Sequence, residues 1–183
     1  MSRLRFPTAR ALLESFNPLI IKLAVAPTDE SPLVFLRNLS AQEKLDDAVT
    51  FCAHLLPRRE AVWWACGSTR TLLGDIPQSR GAGLRAAEAW VHDPDDQHRE
   101  AALRVGAQGD ANDSLTWLAL AAGWSGGMLK SHPQMQVAMP QYMTARAARI
   151  AILLSGRFVK PPERTLLMRA SIANGIELAE SGL

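Results

Sequence analysis

From Leu45 to Leu56, apolar residues recur at Leu45, Ala48, Val49, Cys52 and Leu56. That i, i+3, i+4, i+7, i+11 spacing defines one face of an amphipathic helix. The Ser-Ala-Gln-Glu run at 40–43 reads as its capping box, with Ser40 capping an amide three residues on and Glu43 reaching back. Pro57 opens a second helix, in which Ala61, Trp64, Ala65, Ser68 and Leu72 share one face. Val62, Cys66, Thr69 and Leu73 share the adjoining face, and Gly74 supplies the left-handed stop. A helix over 78–92 carries Leu84, Ala87 and Val91. Asp93 caps the next, with Pro94 in the first turn and Gly109 at the end. Asp113 caps SLTWLALAAGW, which is apolar nearly all round and therefore central. TARAARIAILLSG and PPERTLLMRASIANGIELAESG follow, each closed by glycine.

Near the N-terminus, Asn17-Pro18 and Ser31-Pro32 each place a capping residue before a proline at the first helical position. The segment 19–26, LIIKLAVA, is strand-like in composition, but its Asn-Pro start predicts a helix. No other stretch reads as a strand. The pattern predicts a single all-α domain over residues 1–183 with about eight to nine helices, as a compact bundle or a short array of helical hairpins.

Two stretches do not fit a plain bundle. GWSGGMLKSHPQMQVAMPQYM, at 123–143, keeps Met128, Met135, Val137, Met139 and Met143 in a long connection without a regular period. Long loops are often functional, and methionine adapts to irregular surfaces. The expectation is a lid packed over a tryptophan core around Trp124; the alternative is a partner-binding edge. The second stretch is AVWWAC at 61–66. Adjacent tryptophans on a helix point about 100° apart. The expectation is that a multilayer core buries both; otherwise one of the two faces a groove or a partner as an anchor.

Composition narrows the function. A net charge of +2 without a dense basic run argues against nucleic acid. No apolar run reaches the ~18 residues of a membrane span. The N-terminal MSRLRFPTARALLESF lacks the apolar core of a secretory signal, so a cytoplasmic location is expected. Cys52 and Cys66 read as buried thiols. His92, Asp96 and His98 in HDPDDQH are conceivable metal ligands, but helix-start chemistry already explains the aspartates. Ser125 in WSGG reads as a C-cap and turn residue, since no base lies near it in sequence. No GxSxG, HExxH or phosphate-binding loop occurs, and no cofactor or metal is expected. Arg58, Arg59 and Glu60 read as a solvated helix start. Arg146 and Arg149 share a face of the helix from 144 and, with Arg157, Lys160, Arg164 and Arg169, make the C-terminal third basic. Internal pairing and a charged docking face are equally open readings.

DDAVTFCAHLLPRREAVWWAC, AEAWVHDPDDQHREAA and LTWLALAAGWSGGML…MPQYMTARAARIAILLSG resemble, in this order, a family of uncharacterised bacterial proteins often encoded among type VI secretion genes. The likeness covers roughly residues 30–180. Its most specific parts are the run at 57–65 and Trp-Ser-Gly-Gly at 124–127. No activity transfers with it. The resemblance implies an accessory adaptor or chaperone-like protein whose partner is a secreted effector or spike component.

The first reading is therefore a non-enzymatic interaction module, with Trp63, Trp124, Met128, Met135, Val137, Met139, Arg146 and Arg149 as partner-binding candidates. The alternative is an immunity protein that blocks a toxin through the acidic stretch 93–113 or the arginine face. A third reading is a small metal-dependent enzyme using His92, Asp96, His98 or Ser125.

Overall fold

A computed structural model describes residues 5–16, 21–132 and 135–181. Among these, nine helices and one hairpin follow in order: α1 Ala9–Glu14, α2 Pro32–Ala41, α3 Leu45–Leu55, α4 Arg58–Leu73, α5 Ala82–His92, α6 Asp96–Gln108, α7 Ser114–Gly123, β1 Met128–His132, β2 Met135–Ala138, α8 Gln141–Gly156 and α9 Glu163–Ser181. The all-α bundle expected from the pattern is the fold.

The centre is α7, whose residues are buried on nearly every side, as its uniform apolarity requires. It packs against α5, α6, α8 and α4. In α8 half of the buried positions are alanines (Ala145, Ala147, Ala148 and Ala151), which let α3, α4 and α7 close in on its axis. Helix α9 lies across α4, α3 and α2. It is seated by Gly175, where a Cβ would stand 2.5 Å from Cys52 Sγ and 2.8 Å from Trp64 Nε1. The buried Trp64 Nε1 donates to the Ser171 carbonyl oxygen at 2.6 Å, joining α4 to α9 by the indole's only donor.

Several local expectations are corrected. Ser40 does not cap α3; it lies in the last turn of α2. Glu43 N–H donates to the Ser40 carbonyl at 3.2 Å and Lys44 N–H to the Leu39 carbonyl at 2.9 Å. That pair of bonds is a Schellman ending, and it forces Glu43 to φ 58°, a left-handed value usually reserved for glycine. The SAQE run thus ends one helix rather than starting the next. Helix α5 starts at Ala82, because residues 78–81 form a turn before it. Asp95, not Asp93, caps α6, accepting from His98 N–H at 2.7 Å.

Residues 21–26 are not helical. Their amides are claimed from outside: Ala24 and Val25 N–H donate to Asp47 Oδ2 at 2.9 and 3.3 Å. The carbonyls of Thr28 and Glu30 accept from Arg10 and Ala9 at the start of α1. The predicted Asn17-Pro18 cap lies outside the described residues.

The largest departure is the connection after α7. In place of an irregular crossing, β1 and β2 pair antiparallel, with Met128 opposite Ala138 and Leu129 opposite Val137, and a register shift between Lys130 and His132.

Candidate functional site

Helix α4 is sorted by its packing into buried and open faces. Ala61, Trp64, Ala65, Ser68 and Leu72 are buried, as are Val62, Cys66 and Thr69. Arg59, Trp63, Gly67, Arg70 and Thr71 remain exposed, and Glu60 is half-buried at their edge; within this open face Glu60, Trp63, Gly67 and Arg70 line up as a stripe. Trp63 is 51% exposed, so the expectation that both tryptophans enter the core fails. The 100° step that sends Trp64 under α9 turns Trp63 out. Trp63 stands between two grooves. One, about 690 Å³, runs between α4 and α5 and is lined by Arg59, Glu60, Cys66, Arg70, Val91 and His92. The other, about 390 Å³, runs between α4 and α9 past Asn174, Glu177 and Leu178. Gly67 borders both grooves, and a Cβ there would meet nothing within 4 Å. On the α5 side, Arg70 forks onto Glu88, with Nε and Nη2 donating at 2.7 and 2.9 Å. That ion pair holds the Arg70 guanidinium above its ordinary pKa.

The start of α4 does a second job. Arg58 is half-buried rather than part of a solvated face. Its Nη1 donates to the Ser125 carbonyl at 2.6 Å and its Nη2 to the Met139 carbonyl at 3.0 Å. These carbonyls flank the hairpin on either side. Burial, then Arg5, lowers the Arg58 pKa below its ordinary value. Met139 N–H closes the base by donating to the Gly127 carbonyl at 2.9 Å. Gly127 has φ 78°, and a Cβ there would stand 2.7 Å from Nη1 of Arg99 on α6. Arg99 in turn donates from Nε to Asp96 at 2.9 Å. Two motifs distant in sequence, PRREAVWWA and WSGG, therefore meet, and the hairpin base lies between α4 and α6. Arg59 Nε is tied to the Val91 carbonyl of α5 at 2.8 Å.

The partner candidates separate accordingly. Met128 and Val137 are exposed, at 53% and 40%, and occupy opposite strands of the hairpin. Met139 is buried beneath it. Met135 is in β2, but its side chain lies outside the described part. Trp124 is half-buried against the core and meets Trp117 edge-on, with ring centroids 6.2 Å apart. Arg146 is exposed. Arg149 Nε donates to Thr50 Oγ1 at 2.7 Å, and Arg164 and Arg169 pair with Asp46 and Glu43 at 3.1 and 2.9 Å. Internal pairing thus engages three cations of the basic third.

The residues of the enzyme reading do not assemble. Ser125 is buried. His98 Nδ1 faces Asp95 Oδ1 at 2.9 Å within one helical turn, and the His98 backbone amide holds the Asp95 carboxyl below its usual range. Asp96 is spent on Arg99, while His92 lines the α4–α5 groove. No group of three or more His, Cys, Asp or Glu side chains able to hold a metal occurs among the described residues. Burial raises the thiol pKa of both Cys52 and Cys66. No described helix is long and apolar enough to cross a membrane.

Sequence reasoning missed Arg58, Glu60, Gly67 and Arg70. The signal for the last three was available by subtraction: once two faces of α4 are assigned to the core, 60, 63, 67 and 70 are left, together with 58, 59 and 71. The role of Arg58 had no such signal, because its partners are backbone carbonyls far along the chain. A family model described as "Family of unknown function (DUF6931)" matches residues 35–179. No curated protein and no solved structure matches the chain.

Proposed function

The chain belongs to the DUF6931 family of unknown function, and we propose that it acts as a non-enzymatic protein-interaction module that presents the β1–β2 hairpin to a protein partner. The observation that carries this reading is the hairpin's construction. Apolar Met128 and Val137 face solvent, while Arg58 bonds the carbonyls flanking the base and Gly127 lies close against Arg99 of α6. A rigid base under exposed apolar side chains lowers the ordering cost of docking. A two-stranded ribbon also has open backbone edges, which a partner strand can pair with.

The resemblance to proteins encoded among type VI secretion genes gives the setting: an accessory adaptor or chaperone-like protein for a secreted effector or spike component. The immunity-protein reading uses either the acidic stretch 93–113 or the arginine face, and the engagement of Arg149, Arg164 and Arg169 within the chain weighs against the second of these.

The test is affinity purification of the tagged chain from its host with mass spectrometry, beside a Met128→Ser/Val137→Ser variant. The expected result is a stoichiometric secretion component that the variant loses while its melting temperature is unchanged. A toxin in that place would replace the adaptor reading with the immunity reading. A partner retained by the variant would refute the hairpin as the docking site.

A further inference from the structure

The exposed stripe of α4 has a property that the hairpin reading does not use: it is complementary to itself. Its four members, Glu60, Trp63, Gly67 and Arg70, follow at steps of three, four and three residues, the 3.5-residue period of a helix–helix seam. Trp63 is a large half-exposed knob, and Gly67, one turn on, is a hole with open space where a Cβ would be. Glycine is a poor choice inside an exposed helix unless something approaches its backbone closely. Among the described residues nothing does so at Gly67.

We propose that α4 is a homodimer interface, covered by α4 of a second copy in antiparallel, two-fold register. Laid antiparallel about the midpoint of the stripe, position 63 meets 67 and position 60 meets 70. Trp63 of each copy then fills the hole at Gly67 of the other, and Glu60 of each faces Arg70 of the other. A two-fold contact requires this reciprocity, residue i on j and j on i. The charges agree with it. Glu60 makes no ion pair among the described residues. Arg70 uses Nε and Nη2 on Glu88 and leaves Nη1 to reach a second carboxylate. The grooves on both sides of Trp63 leave room for the opposing indole and for the flanks of the second copy. The hairpin is a separate surface, so such a dimer displays two of them.

Sedimentation equilibrium of the full chain across a concentration series tests this. The wild type is expected to move reversibly between 20.0 kDa and twice that mass. A Cβ at Gly67 meets nothing within 4 Å, and Gly67→Leu fills the hole; with its fold checked by circular dichroism and melting, its dimerisation is expected to weaken at least about 30-fold, the scale of losing a hot-spot contact. Glu60→Arg sets like charges opposite each other and is expected to weaken the dimer, and Glu60→Arg/Arg70→Glu to restore it in part. A wild type that is monomeric at every concentration overturns the proposal. So does a dimer indifferent to Gly67→Leu, which would use another face. A monomer whose co-purifying protein is lost with Gly67→Leu also overturns it and gives the stripe to a different occupant.

Discussion

Gly175 and Gly67 are both glycines inside long helices, and the structure predicts opposite outcomes when each becomes alanine. At Gly175 the new methyl would stand 2.5 Å from Cys52 Sγ and 2.8 Å from Trp64 Nε1. Neither neighbour is free to move. Cys52 is fully buried in α3, and the Trp64 indole is held by its 2.6 Å bond to the Ser171 carbonyl. Overpacking of this kind costs about 1–3 kcal/mol. Displacing α9 also strains a buried hydrogen bond whose loss costs about 1–3 kcal/mol. Alanine's better helix propensity returns only about 1 kcal/mol. The net expectation for Gly175→Ala is a loss of about 2–3 kcal/mol, roughly 4–10 °C in melting temperature for a domain of this size. Gly67→Ala meets nothing within 4 Å and keeps only the propensity gain, a rise of about 0.5–1 kcal/mol. Urea and thermal unfolding followed by circular dichroism, at a protein concentration low enough to hold the chain as monomer, read both. Adding Cys52→Ala to Gly175→Ala removes one of the two colliding atoms and is expected to recover about 1 kcal/mol of coupling in a double-mutant cycle. Equal stability of Gly175→Ala and wild type would refute the close seating of α9 on Trp64.

Three further outcomes are expected. His54 is buried, donates from Nδ1 to the Thr50 carbonyl at 2.8 Å and packs edge-on to Phe16; burial, then repulsion from Arg149, outweighs that bond and pushes its pKa down to about 4. The unfolded imidazole protonates near the ordinary ~6.5, so the unfolded state binds the extra proton as pH falls. This group's stabilisation is whole above that pH and is lost down through about 4, to the extent of about 3 kcal/mol; denaturant titrations from pH 7 to 4 should show a slope that His54→Gln removes. Glu43→Gly relieves a left-handed residue worth about 1–2 kcal/mol and gives up an exposed pair with Arg169 worth under about 1 kcal/mol, so a higher urea midpoint is expected, whereas Glu43→Ala should lower it. Arg58→Met leaves the Ser125 and Met139 carbonyls without their donor; amide exchange at Met139 should quicken by about tenfold or more while α7 stays protected.

What the chain determined by itself is local. Asp113 caps α7 through its own side chain, Gly74 ends α4 in a positive φ, and the apolar spacing of 45–56 marks α3 as a helix whose stripe goes inward, although Thr50, Phe51, Ala53, His54 and Leu55 outside that stripe are buried as well. Each signal acts within a turn or two of helix, where sequence neighbours are also spatial neighbours. The tertiary structure decided the rest. Residues 21–26 have the composition of a regular element, yet Asp47 takes the amides of Ala24 and Val25. SAQE has the letters of a capping box, yet the tight passage from α2 to α3 turns Glu43 left-handed and makes the run a helix end. The methionine-bearing connection becomes a hairpin whose base is bonded by Arg58 and lies close against Arg99, from helices distant in sequence. Trp63 and Trp64 are chemically identical neighbours; helical spacing sets Trp64 on an apolar face and leaves Trp63 off it, but whether a second layer would cover Trp63 as well is a tertiary matter. Helix α9 docks over Trp64 through Gly175 and Ser171, and the pitch of the helix leaves Trp63 outside.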